Sequence, residues 1–382
     1  MKLQTIRFDK KGWSVKEFPK MDSANTLILV FAAPSFIDHP EPIEALAKAY
    51  PQSKIIGCSS AGEIYDASIF DESLSVAIMQ FEKTHIKISK AELDANKDSE
   101  QAGLALGKEL NADDLKAIFV LSDGTNVNGT ELAKGLNALN KKITVTGGLA
   151  GDGSRFKETW SIYNGKITKN CVVGVGFYGE HIQIGHASKG GWDIFGPERR
   201  ITRSKGNILF ELDNQPALKL YKNYLGEQAD NLPASGLLFP LAIRSDLNSD
   251  KRLVRTILSV DEANSSLTFA GDIPEGYLAQ LMKANFERLI TAADEAGTIA
   301  TSHLTAVSAT EVKPVLAISI SCVGRRLLLG ERSEEETESV MQSLPEGAQQ
   351  IGFYSYGELS PYSEDGTCDL HNQTMTITTF NE

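Results

Sequence analysis

The strongest constraint on how this chain folds is a nine-residue stretch that occurs twice. Ile56-Gly57-Cys58-Ser59-Ser60-Ala61-Gly62-Glu63-Ile64 returns as Ile351-Gly352-Phe353-Tyr354-Ser355-Tyr356-Gly357-Glu358-Leu359, with five of the nine positions identical. The surroundings return as well. Each copy follows an apolar run (Leu27 to Ala32, Val315 to Ser319) and a helix-compatible segment ending near a proline, Pro51 or Pro345. Each precedes an alternating run ending in phenylalanine, Ser73 to Phe81 and Asn372 to Phe380. Two glycines bracketing small polar residues just after a strand suit a turn where backbone approaches a ligand. The spacing is far too long for a solenoid, so the repeat points to duplicated βαβ-like units. Ser60, Gly62, Glu63, Ser355, Gly357 and Glu358 are therefore candidate ligand-facing residues.

A middle block has the same grammar. Ala117 to Leu121 reads as a buried strand, residues 122–129 as a polar loop, and Thr130 to Leu139 as a helix. Ile143 to Thr146 then runs into Gly147-Gly148-Leu149-Ala150-Gly151-Asp152-Gly153, which adds Gly148 and Asp152 to the candidates. Strands are expected at Thr26 to Ala32, Lys54 to Cys58 and Val315 to Ser321. Helices are expected at Pro40 to Ala49, Ser99 to Leu110, Gln215 to Leu225 and Glu335 to Leu344. Tyr277 to Ala292 has the clearest 3.6-residue periodicity and is expected to be helical throughout. Asn164-Gly165 predicts a hairpin joining Trp160 to Tyr163 with Cys171 to Phe177, which His181 to Ala187 extends. His85 to Ser89 reads as an antiparallel partner of Ser73 to Phe81. At 382 residues two domains are expected, 1–195 and 196–382, divided where Gly, Pro and charges cluster. The fold class is α/β (α+β), each domain a mixed sheet with helices packed on it.

A net charge of −12 argues against a nucleic-acid partner and against an anionic membrane surface. No apolar run is long enough to span a bilayer, and Met1 to Arg7 lacks a signal-peptide core, so a cytoplasmic protein is expected. Four scattered cysteines form no C-x-x-C pair. The chain carries no nucleophile elbow, H-E-x-x-H, Walker A or dinucleotide fingerprint in its required context, so no catalytic residue is assigned. Arg325, where a strand opens into a turn, can meet a carboxylate or phosphate in bidentate fashion, or pair with a nearby acid. Together with Glu63 and Glu358 it offers a site for a zwitterion. His186, on a glycine-flanked strand, can ligate iron or act as a hydrogen-bonded structural residue. Cys58 and Cys322 read as buried small apolar residues, or as nucleophiles if the protein is a hydrolase.

The motifs Gly57 to Glu63, Leu121 to Gly129, Gly147 to Gly153, Ser321 to Arg325 and Gly352 to Glu358, closing on His371-Asn372-Gln373-Thr374, resemble a FIST-domain protein. Both halves match, an N-terminal and a C-terminal FIST domain, and Asn372 joins the ligand-binding candidates on this ground. The resemblance implies a signal-input module that binds small ligands such as amino acids. One branch of the family binds b-type haem, senses nitric oxide and regulates separate histidine kinases or diguanylate cyclases and phosphodiesterases. On that branch His186 is the first choice of iron ligand and His371 the second. The expectation is a stand-alone sensor acting in trans, with a small molecule or a gas as ligand and room for a homodimer.

Overall fold

The computed structural model describes residues 1–93, 98–138, 143–302, 304, 314–363 and 366–382. Its strands fall into three related units and one insertion. In the first unit an edge strand (Lys2–Asp9) precedes an inner strand (Thr26–Ala32) and a helix (Glu41–Ala49). A second strand follows (Lys54–Ser59), then a hairpin (Glu63–Tyr65, Ser68–Phe70) and a return strand (Leu74–Gln80). The second unit repeats this order with edge strand His85–Glu92, helix Ser99–Leu110, inner strand Leu115–Ser122 and helix Gly129–Asn137. Its second strand is Thr144–Leu149, its hairpin Ser161–Tyr163 with Lys166–Thr168, and its return strand Cys171–Tyr178. The third has edge strand Gln183–Lys189, helix Phe286–Ser302, inner strand Leu316–Cys322 and helices Val323–Leu329 and Ser333–Ser343. Its second strand is Gln349–Ser355, its hairpin Gly357–Pro361 with Cys368–His371, and its return strand Met375–Asn381.

In every unit the inner strand lies parallel to the second strand and antiparallel to the return strand, which pairs the edge strand on its other side. The hairpins do not stay at home. That of the first unit pairs with the third unit's second strand, that of the second with the first, and that of the third with the second. The exchange is cyclic, so the core has a pseudo-threefold axis.

The recurring glycine has a steric origin. Gly57, Gly147 and Gly352 stand in register with Val30, Val120 and Ser319 of the adjoining inner strands. A Cβ at these positions would lie 2.1, 1.8 and 1.9 Å from the carbonyl oxygens of those residues. The inner strands are buried on both faces, which is why they read as continuous apolar runs. One face meets a central core shared by all three sheets, where Phe31 stacks on Phe353 with centroids 4.6 Å apart. The other face meets each unit's own helices.

Residues 193–283 form the insertion, between the third unit's edge strand and its helix. It is an eight-stranded sheet around Ile201, Leu209, Tyr221, Phe269 and Leu281, covered by helix Ala217–Leu225. Two of the three core sheets draw strands from both sides of residue 195.

Four expectations need correction. Residues 277–292 are not one helix: Leu278–Lys283 is a strand and the helix begins at Phe286. That strand lies between two others and is buried on both faces, so its leucines fit either period. His85–Glu92 does not pair with Leu74–Gln80, both of whose edges are already taken, but with Cys171–Tyr178. The turn at Asn164-Gly165, both with positive φ, joins Ser161–Tyr163 to Lys166–Thr168, and Cys171–Tyr178 lies in a different sheet. Gln183–Lys189 extends the third unit's sheet, beside Met375–Asn381. Leu139, the expected end of its helix, lies outside the described residues.

Candidate functional site

The three glycine-bearing turns meet at one end of the core. Ala61 N donates to Tyr354 O (2.8 Å), Gly151 N to Ser59 O (3.0 Å) and Tyr356 N to Leu149 O (3.2 Å). Each turn thus hangs on the neighbouring unit, and the three bonds form a ring around the axis. Residues 56–64 and 351–359 occupy equivalent places in it, each leading from a strand through the turn into a strand of another sheet.

Two turns carry a buried glutamate that locks the return strand. Glu63 accepts from Ser60 Oγ, from Ser73 N (3.1 Å) and from Ser73 Oγ (2.8 Å). Glu358 accepts from Ser355 Oγ (2.8 Å), Thr374 N (3.2 Å) and Thr374 Oγ1 (2.8 Å). Burial pushes both carboxyls up to about 8, against the pull of those donors. The middle turn has Ala150 and Gly153 where the others have serine and glutamate. There Asp152 accepts from the amides of Phe156 (2.8 Å), Lys157 (3.0 Å) and Glu158 (3.0 Å), and from the Tyr356 hydroxyl. Although burial opposes them, these donors hold its carboxyl below the usual range.

Of the other candidates, Gly148 faces Glu358 across paired strands. Asn372 is buried, and its amide donates to His371 O (3.0 Å). Arg325 is fully buried and meets Glu336 through Nε (2.9 Å) and Nη2 (2.8 Å). Its remaining donors reach Gly190 O (2.7 Å), Leu289 O (2.8 Å) and Gln373 O (3.5 Å). Ser321 and Tyr354 hydroxyls also donate to Glu336. Arg325 thus lies far down a satisfied polar network, at the root of the insertion.

A cavity of about 720 Å³ lies elsewhere, between the core and the insertion. One side is formed by the segments that follow inner strands of the core, the loop at residues 124–128 and the helix start at Cys322 to Gly324, together with Leu149, Phe156 and Tyr356. The insertion supplies the other side, including residues 231–234, 256–258 and 269–271. Clefts at the carboxyl ends of strands are where mixed α/β sheets bind ligands. Residues at the start of the return strands set these loops. Asn170 Oδ1, held at φ 51, accepts from Asn126 Nδ2 (3.0 Å), and the Gln373 amide, at φ 61, lies directly under Gly324.

None of the ligand-binding candidates from the sequence lines this cleft, although the ring residue Tyr356 does. Its wall on the insertion side was not anticipated at all. The one trace in the sequence is apolar residues at positions that the fold leaves in water, such as Leu258 at 46% exposure.

A FIST N domain matches residues 26–215 and a FIST C domain matches residues 217–361, together covering the insertion and most of the cyclic core. The chain belongs to the FIST family. FIST domains are small-molecule-sensing signal-transduction domains. An uncharacterized protein of Methanocaldococcus jannaschii, MJ1623, is 23% identical over 383 residues, spanning 91% of this chain and 69% of that protein. A crystal structure of cyanuric acid hydrolase from A. caulinodans covers 78% of this FIST protein and 99% of its own chain, at 11% identity and a TM-score of 0.18.

The cleft does not fit the b-type haem that the resemblance implies. Among the described residues no histidine lines it, and the one sulfur is the thiol of Cys322, which burial pushes up and keeps protonated. His186 stands opposite Thr378 in an edge-strand pair, partly buried. His371 is buried opposite Glu358, with Nε2 2.9 Å from Ser360 O, and burial drives it down to about 4. Cys58 is fully buried and also pushed up, so neither thiol is a ready nucleophile at neutral pH. Among the described residues no helix is long and apolar enough to cross a membrane.

Proposed function

We propose that this FIST protein is a sensor that holds a small molecule in the cleft between its cyclic core and the insertion. The observation that carries the reading is the make-up of that cleft, whose two walls belong to separate hydrophobic cores. The seat of the insertion joins polar contacts to a small apolar cluster of Trp192, Ala242, Met282, Leu289 and Leu329. Asn128 Nδ2 donates to Asp272 Oδ1 (3.0 Å), Arg255 Nη1 to Leu370 O (3.1 Å), and Lys251 pairs with Asp369 (2.5 Å). Interfaces of this kind permit one unit to shift on another. A ligand touching both walls favours the seated arrangement by its differential affinity, and that shift is the signal. The output is read in trans by a separate enzyme such as a histidine kinase or a cyclic-di-GMP enzyme.

The test is a thermal-shift screen of a defined metabolite library against the wild type and Leu258→Trp, which fills the cleft from its rim. Hits should raise the wild-type melting temperature and lose that effect in the variant. Hits that shift both proteins equally place the ligand outside the cleft and overturn the reading.

A further inference from the structure

Among the described residues the walls of the cleft contain no lysine, arginine, aspartate, glutamate or histidine, although 23% of the chain is charged. A charged ligand in such a site loses hydration and gains no counter-charge. One aromatic wall stands ready. The Phe156 and Tyr356 rings stack with centroids 4.5 Å apart and planes 17° from parallel. Phe156 is held there at φ 52, a conformation that side chains rarely adopt, by bonds from its amide to Asp152 Oδ1 (2.8 Å) and the Tyr356 hydroxyl (3.2 Å). The residue is nonetheless 48% exposed.

The mouth is apolar on three sides. Phe156, Leu258 and Leu327, at 48, 46 and 48% exposure, come from the Asp152 turn, the insertion and helix Val323–Leu329.

We infer that the cleft takes an uncharged, flat, largely apolar small molecule that stacks on the Phe156–Tyr356 wall. The inference rests on the cleft being the ligand site. It sets aside free amino acids, whose two charges find no partner there.

Two fluorescent probes of one skeleton test it: neutral N-phenyl-1-naphthylamine, with a single N–H donor, and anionic 8-anilinonaphthalene-1-sulfonate. The neutral probe should bind saturably at one site and at least about tenfold tighter than the sulfonate. Leu327→Asp at the mouth should abolish that binding. Equal binding of both probes, each lost in Leu327→Asp, leaves the cleft as the site and overturns the uncharged class. Saturable binding by neither probe, or binding untouched by Leu327→Asp, overturns the cleft reading and this inference with it.

Discussion

Arg325 offers two roles that one variant separates. If it held a ligand carboxylate, removing it would spare stability and end binding. Its geometry argues for the opposite. Arg325→Met leaves Glu336 buried with only the hydroxyls of Ser321 and Tyr354, and strips donors from Gly190 O and Leu289 O. Breaking a buried ion pair from one side costs about 3–5 kcal/mol, because the surviving charge stays buried. Gly190 and Leu289 flank the two connections to the insertion, so the loss should appear there first. Urea unfolding gives the global figure, and amide exchange at residues 190–193 and 286–290 gives the local one. Trp192 reports the same place, since its indole donates to Gln373 O (2.8 Å). The double variant Arg325→Met/Glu336→Gln should recover more than half of the loss, because no charge is then stranded. A single-variant loss below about 1 kcal/mol, or no recovery in the double variant, would refute the clamp.

Between pH 6.5 and 8 stability should fall as pH rises. Glu63 and Glu358 have folded values near 8 against 4.5 for the free side chain, so the folded state holds protons that the unfolded state has released. Their contribution is complete below 4.5 and is lost as pH climbs through 8, with a slope of at most about 1.4 kcal/mol per pH unit for each group. Below 6.5 His371, held neutral down to about 4, pulls the other way, so the upper window isolates the glutamates. Glu63→Gln/Glu358→Gln should flatten the slope in denaturant titrations at stepped pH, and an unchanged slope would show that their donors keep both ionised. For haem, protein loaded in excess should show no stoichiometric Soret band; a band that His186→Ala abolishes, with far-UV circular dichroism unchanged, would restore the gas-sensing reading.

The parts of the fold that local physics dictates were readable in the residues. Thr26–Ala32 and Leu115–Ser122 announce strands buried on both faces, and Gly57, Gly147 and Gly352 mark places where a carbonyl leaves no room for a Cβ. What the residues do not carry is destination. Glu63–Tyr65 and Gly357–Pro361 read alike, yet they join the sheets of different neighbours. That choice is settled by closure of the whole ring, not by any window of sequence. The same logic explains the site. A glycine-bracketed turn with an acid has the look of a ligand cradle, and in this chain each turn is cradled by the next unit: Ala61 on Tyr354, Gly151 on Ser59, Tyr356 on Leu149. The cleft arises where the three units stop being alike. The third unit has Tyr356 where the others have alanine and glycine, the second turn has Asp152 holding Phe156, and the third unit alone admits residues 193–283. Departures from symmetry are invisible until the symmetry is known. In this FIST protein the repeat builds the frame, and its exceptions are the place to look for the ligand.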